Sequence, residues 1–169
     1  MDKNIVLIGM PGCGKSTFGK VLAKELNLKF YDMDDYIEKT TKRKISDIFL
    51  DGEEAFRKIE SEKCAELSEK KGCILSTGGG IIKNKINIDC LKKNGIIIFI
   101  DRPVDKIIKD VDTSERPLLK DGKEKIIQLY SERYDLYKKY ADVIVLNVGK
   151  ISSVKAKLLN ACKELITDN

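Results

Sequence analysis

Histidine is absent from all 169 residues. Any general base in this chain must therefore be a carboxylate, a lysine, a tyrosine or a cysteine. The five cysteines (Cys13, Cys64, Cys73, Cys90 and Cys162) are scattered, and none forms a Cys-x-x-Cys pair. Lacking both histidine and paired thiols, the sequence argues against a tetrahedral zinc site and against a disulfide framework. Long apolar runs are missing too, for nothing approaches the roughly 18 residues of a membrane span. Residues 4–8 are too short for a signal-peptide core, and they lead into a glycine-rich loop rather than a cleavage site. The expectation is a cytosolic protein with reduced thiols and no membrane partner.

Arginine is scarce. Of 32 basic residues only Arg43, Arg57, Arg102, Arg116 and Arg133 are arginine. A chain that uses lysine so freely is expected to keep arginine where a planar, bidentate fork is needed. Blocks of like charge are also lacking: the net charge of +5 comes from lysines interleaved with acids. That pattern describes a solvated surface and not a nucleic-acid interface. With 42% hydrophobic and 35% charged residues, the chain is composed as a soluble single domain over residues 1–169. It offers no clear oligomerisation surface, so a monomer is expected.

Short apolar runs at 4–9, 29–32, 73–77, 96–100 and 143–147 read as strands. Helical spacing falls between them, at 15–26, 34–41, 45–50, 53–70, 85–93, 103–109, 123–138 and 151–166. Alternating strands and helices predict an α/β fold: a five-stranded parallel sheet with helices on both faces, three layers in all. Residues 110–124 lack periodicity and read as a loop. Ligands in such sheets bind beyond the carboxyl ends of the strands. Three polar motifs follow strands there.

Gly9-Met10-Pro11-Gly12-Cys13-Gly14-Lys15-Ser16 matches the phosphate loop Gly-x4-Gly-Lys-Ser/Thr in a strand–loop–helix setting. Backbone N–H groups of Gly12, Cys13, Gly14, Lys15, Ser16 and Thr17 are expected around nucleotide phosphates, at a helix N-terminus. Lys15 would reach the β- and γ-phosphates and Ser16 would bind Mg²⁺. A GTPase would need Asn-Lys-x-Asp, but Asn84-Lys85-Ile86-Asn87 ends in asparagine and stands before the fourth strand. A motor ATPase would close a strand in aspartate, whereas the third strand closes in Ser76-Thr77-Gly78. The metal role then passes to Asp32. Alternation along the strand end puts Asp34 on the same side, where it can take a proton from an acceptor hydroxyl or orient it.

These motifs occur together with Glu54-x-Phe56-Arg57-x-x-Glu60, Gly78-Gly79-Gly80, Arg116-Pro117-Leu118-Leu119 and Arg133-x3-Tyr137. In that order and spacing the sequence resembles the shikimate kinases over nearly its whole length. The resemblance implies a phosphate-loop kinase fold with a lid at about 110–124 and a substrate-binding segment at about 32–61. It implies transfer of the ATP γ-phosphoryl group, with Mg²⁺, to the 3-hydroxyl of shikimate. Asp34, Arg57, Gly78, Gly79, Gly80 and Arg133 would surround shikimate. Asp34, Lys15 and Arg116 would carry the catalysis, and Glu60 would brace Arg57. Phe49 and Phe56 are either walls for the ring or plain core. The pattern departs at two positions: Lys109 replaces an arginine that stacks on adenine, and Lys150 is the nearest base contact after the last strand. A gluconate kinase, a nucleoside monophosphate kinase and a non-catalytic kinase-like module are the alternatives. The monophosphate kinase is disfavoured by the few arginines, and the silent module by the presence of Lys15 and Asp34.

Overall fold

The computed structural model describes residues 3–110 and 122–167, with side chains to 164. Five strands form one parallel sheet in the order β2-β3-β1-β4-β5. They are β1 (Asn4–Ile8), β2 (Lys29–Asp32), β3 (Cys73–Ser76), β4 (Gly95–Asp101) and β5 (Val143–Leu146). β1 lies in the middle, pairing Ile5 with Ile74 on one side and with Ile96 on the other. All five β1 residues are buried, as a strand covered on both faces must be, and its run of Ile, Val and Leu follows.

Eight α-helices are described. α1 (Lys15–Leu26) and α8 (Ile151–Thr167) pack on each other and cover one face. On the other face lie α4 (Glu53–Ser68), α5 (Lys85–Lys93), α6 (Val104–Asp110) and α7 (Lys123–Tyr140). The short α2 (Met33–Thr41) and α3 (Ile45–Leu50) project from the end of β2 and lean on α4. Among the described residues no helix is long and apolar enough to cross a membrane.

The expected elements are present with small shifts in their ends. A 3-10 turn at Ile81–Lys83, invisible to periodicity at three residues, links the triple glycine to α5. Helix α7 runs on to Tyr140, its last turn closed by the Ala141 N–H on the Tyr137 carbonyl. The lid expected at about 110–124, Arg116 included, lies outside the described residues except at its ends.

Candidate active site

The phosphate loop joins the C-terminal end of β1 to α1. Gly14, at φ 102°, turns the chain into the helix in a backbone conformation that only glycine adopts without strain. Four of the loop's carbonyls are engaged by side chains. The Asn147 amide donates to the Cys13 carbonyl at 2.9 Å, and Arg102 Nη1 donates to that of Gly12 at 3.2 Å. Lys15 Nζ donates to Gly9 O at 2.8 Å and Met10 O at 2.9 Å. Carbonyls tied in this way hold the shape of the loop, whose backbone N–H groups are what an anion cradle uses.

Ser16 Oγ donates to Asp32 Oδ2 in a short contact and lies 3.2 Å from Ser76 Oγ. The other oxygen, Asp32 Oδ1, accepts from the Asp34 N–H at 3.0 Å and the Asp35 N–H at 3.5 Å, capping α2. One carboxylate thus fixes the start of α2 and touches the phosphate loop. Hard oxygen donors grouped beside a phosphate cradle suit Mg²⁺, which takes one or two protein ligands and completes its shell with water and phosphate.

Across the cleft, α4 carries Arg57 and Glu60 one turn apart. Arg57 Nη1 donates to Glu60 Oε2 at 2.8 Å, and Arg57 also pairs with Glu53 at 3.2 Å. Glu60 is buried, and burial pushes its carboxyl above the ordinary range although Arg57 pulls the other way. Its second oxygen, Oε1, has no hydrogen-bond partner, nor have Nε and Nη1 of the buried Arg133 on α7. An acceptor and two donors left open inside one cleft are complementary to a ligand carrying both hydroxyl and carboxylate groups. Gly78-Gly79-Gly80 makes room for this arrangement. A Cβ at Gly80 would collide with the Arg57 guanidinium, and one at Gly78 would stand 2.9 Å from Glu60 Oε1 and 3.3 Å from Asp34 Oδ1.

The cleft has a volume of about 1020 Å³. It gathers Gly12, Gly14, Lys15, Ser16, Thr17, Asp32, Asp34, Arg57, Gly78, Gly79, Gly80 and Arg133 from the residues expected at the site. Cys13 contributes backbone only, its side chain being buried beneath the loop. Lys109 and Lys150 are exposed and do not line the cleft. Phe49 and Phe56 stack at 4.5 Å and both face it, so they are wall as well as core. Glu38, Lys44 and Ser46, from α2 to α3, and Thr77, after β3, also line the cleft, and no local motif marks them. Arg102, which no sequence motif included, lines it too.

A phosphate loop on the central strand of this sheet, facing carboxylates and arginines across a cleft of small-molecule size, defines a phosphate-loop kinase of small metabolites. A family model described as shikimate kinase matches residues 11–163. The shikimate kinase of Clostridium botulinum (strain Eklund 17B / Type B) is 54% identical over 169 residues, spanning 100% of both chains. The fold matches the shikimate kinase from Acinetobacter baumannii, solved in complex with shikimate, with a TM-score of 0.89 at 32% identity. That match covers 100% of this chain and 95% of that one. The enzyme from Aquifex aeolicus matches with a TM-score of 0.82 at 38% identity, over 95% of this chain and 96% of that one. The chain belongs to the shikimate kinase family.

Proposed function

We propose that this kinase transfers the γ-phosphoryl group of ATP to the 3-hydroxyl of shikimate, giving shikimate 3-phosphate and ADP. The observation that carries the reading is the set of buried, unpartnered polar atoms, Glu60 Oε1 with Arg133 Nε and Nη1, on residues that line one cleft together with the phosphate loop. Shikimate supplies hydroxyls for the acceptor and a carboxylate for the donors.

In this reading ATP lies with its phosphates in the loop of residues 12–17, and Lys15 leaves its carbonyl partners for the β- and γ-oxygens. Ser16 and Asp32 would hold Mg²⁺, which would supply positive charge to offset that of the phosphates. Arg57 and Arg133 grip the shikimate carboxylate, and residues 78–80 bring backbone N–H groups close to the ring. Asp34 faces the 3-hydroxyl. The hydroxyl oxygen bonds to the γ-phosphorus as the bond to the β,γ-bridging oxygen breaks, its electron pair leaving on ADP. The hydroxyl proton passes to the Asp34 carboxylate, which lines the cleft beside the phosphate loop. Arg116 would stabilise charge on the phosphoryl group in flight, from a lid at about 110–124. Lys109 and Lys150 are proposed as weak contacts to the base, which fits their exposure. On the same reading residues 1–169 act as one cytosolic, monomeric domain, with residues 32–61 embracing the acceptor and no nucleic-acid or membrane partner.

Coupled ADP release at saturating Mg-ATP tests this, with shikimate, gluconate and nucleoside monophosphates offered in parallel. Turnover with shikimate alone is expected. Equal or faster turnover with another acceptor would replace shikimate as the substrate. Asp34→Asn should abolish most turnover while ATP binding survives.

A further inference from the structure

Tyr137 closes the Arg133-x3-Tyr137 motif, and the mechanism above makes no use of it. It lies one turn after Arg133 on α7, and its side chain is fully buried. Tyrosine loses little by burying its ring, but its hydroxyl must find partners. Here the ring stacks on Phe99 at a centroid distance of 5.1 Å. The hydroxyl donates to the Gly79 carbonyl at 2.5 Å, with Met10 Sδ at 3.9 Å. Burial pushes the hydroxyl's titration up, against the weaker pull of the Arg133 charge. Phenylalanine at 137 would fill the ring's place equally well, so core packing does not account for the hydroxyl.

We infer that Tyr137 is a positioning residue for the acceptor substrate: its hydroxyl holds the carbonyl of Gly79 and so fixes the Gly79 peptide opposite Arg133 in the cleft. The inference rests on the shikimate reading above. Gly79 is itself pressed against the phosphate loop, for a Cβ there would stand 2.7 Å from Pro11 Cδ. The peptide of Gly79 therefore has a fixed depth on the loop side, and the Tyr137 hydroxyl sets its other side. Arg133 lines the same cleft, and its Nε and Nη1 have no partner within the protein. Removing the hydroxyl frees the glycine peptide that stands opposite them. The loss falls on acceptor binding, because the phosphate-loop carbonyls of Cys13 and Gly12 keep their own clamps, Asn147 and Arg102, which the change leaves in place.

The test is steady-state kinetics of wild type, Tyr137→Phe, Arg133→Lys and the double variant, with shikimate and ATP varied separately. Tyr137→Phe should raise the shikimate KM about 5- to 10-fold and leave the ATP KM within about 2-fold. The double variant should lose less in kcat/KM for shikimate than the product of the two single losses, because both changes loosen the hold on one bound acceptor. A shikimate KM unchanged in Tyr137→Phe, equal rises in both KM values, or strictly multiplicative losses would overturn the inference. Absence of shikimate turnover by wild type would instead overturn the parent reading and this inference with it. A 3-fluorotyrosine placed at 137 keeps ring and hydroxyl, and gives a second readout should Tyr137→Phe fail to fold. Its fluorine resonance should shift on adding shikimate and stay in place on adding ADP, and the reverse pattern would refute the linkage.

Discussion

Arg57 and Arg133 stand on different helices, yet both reach the acceptor side of one cleft. The scarcity of arginine in a lysine-rich chain pointed to these positions, and the physical reason is the fork: an ammonium keeps the charge but cannot make two parallel bonds. Arg57→Lys and Arg133→Lys should each raise the shikimate KM about 10-fold or more and barely move that for ATP. Unchanged shikimate KM in both variants would remove them from the site. The same scarcity said nothing useful of Arg43, which pairs with Asp51 on the surface. Glu60 carries a second residue-scale consequence. Its carboxyl titrates above the ordinary value of 4.5 because burial outweighs its ion pair with Arg57. Below that value it is protonated in folded and unfolded chains alike, and its favourable contribution is complete. As pH rises past 4.5 the unfolded chain gives up the proton first, so the contribution declines until the folded carboxyl also ionises. Glu60→Gln removes this dependence. Melting temperatures of the two proteins between pH 4 and 8 should therefore show the standing of wild type, relative to the variant, falling as pH rises. A difference that is flat or grows with pH would contradict the burial account.

At the scale of single elements, α2 depends on one side chain for two duties. Asp32 caps the helix, and a lost cap costs about 1 kcal/mol, while its other oxygen faces Ser16 and the proposed metal. Asp32→Asn separates the duties, since asparagine caps as well as aspartate but carries no charge. The melting temperature should stay within a few degrees, and the Mg²⁺ concentration for half-maximal turnover should rise about 10-fold or more. A large fall in melting temperature with unchanged Mg²⁺ dependence would assign Asp32 to structure alone. Elements of this kind were largely legible beforehand. Buried strands announce themselves as apolar runs, and α1 begins where the phosphate loop must end. The 3-10 turn at Ile81–Lys83 was not legible, because three residues carry no period. Nor was the role of Thr77, Glu38 or Lys44 in the cleft wall, because strand order brings them together and no local pattern encodes it. Lys109 and Lys150 were placed from a family pattern, and both are exposed, outside the lining of the cleft.

Across the whole molecule, the two sides of the cleft hang from different depths of the sheet. The phosphate loop continues β1, which is fully buried and paired on both edges. Asp32 and Asp34 follow β2, an edge strand whose four residues are all exposed or half-buried. Amide hydrogen exchange should record this order, with β1 opening only in global unfolding and β2 with α2 and α3 opening well below that free energy. Equal protection of β1 and β2 would refute it. An inhibitor would meet the same asymmetry as a difference in cost. A compound seated on the phosphate loop finds its surface already made, so its affinity is undiluted by any search for the competent shape. One that grips the α2–α3 side binds only the fraction of molecules in which those helices are in place, and its apparent affinity falls by that fraction. A linker joining the two kinds of compound would recover the loss, because the first would hold the second at high local concentration until the edge settles around it.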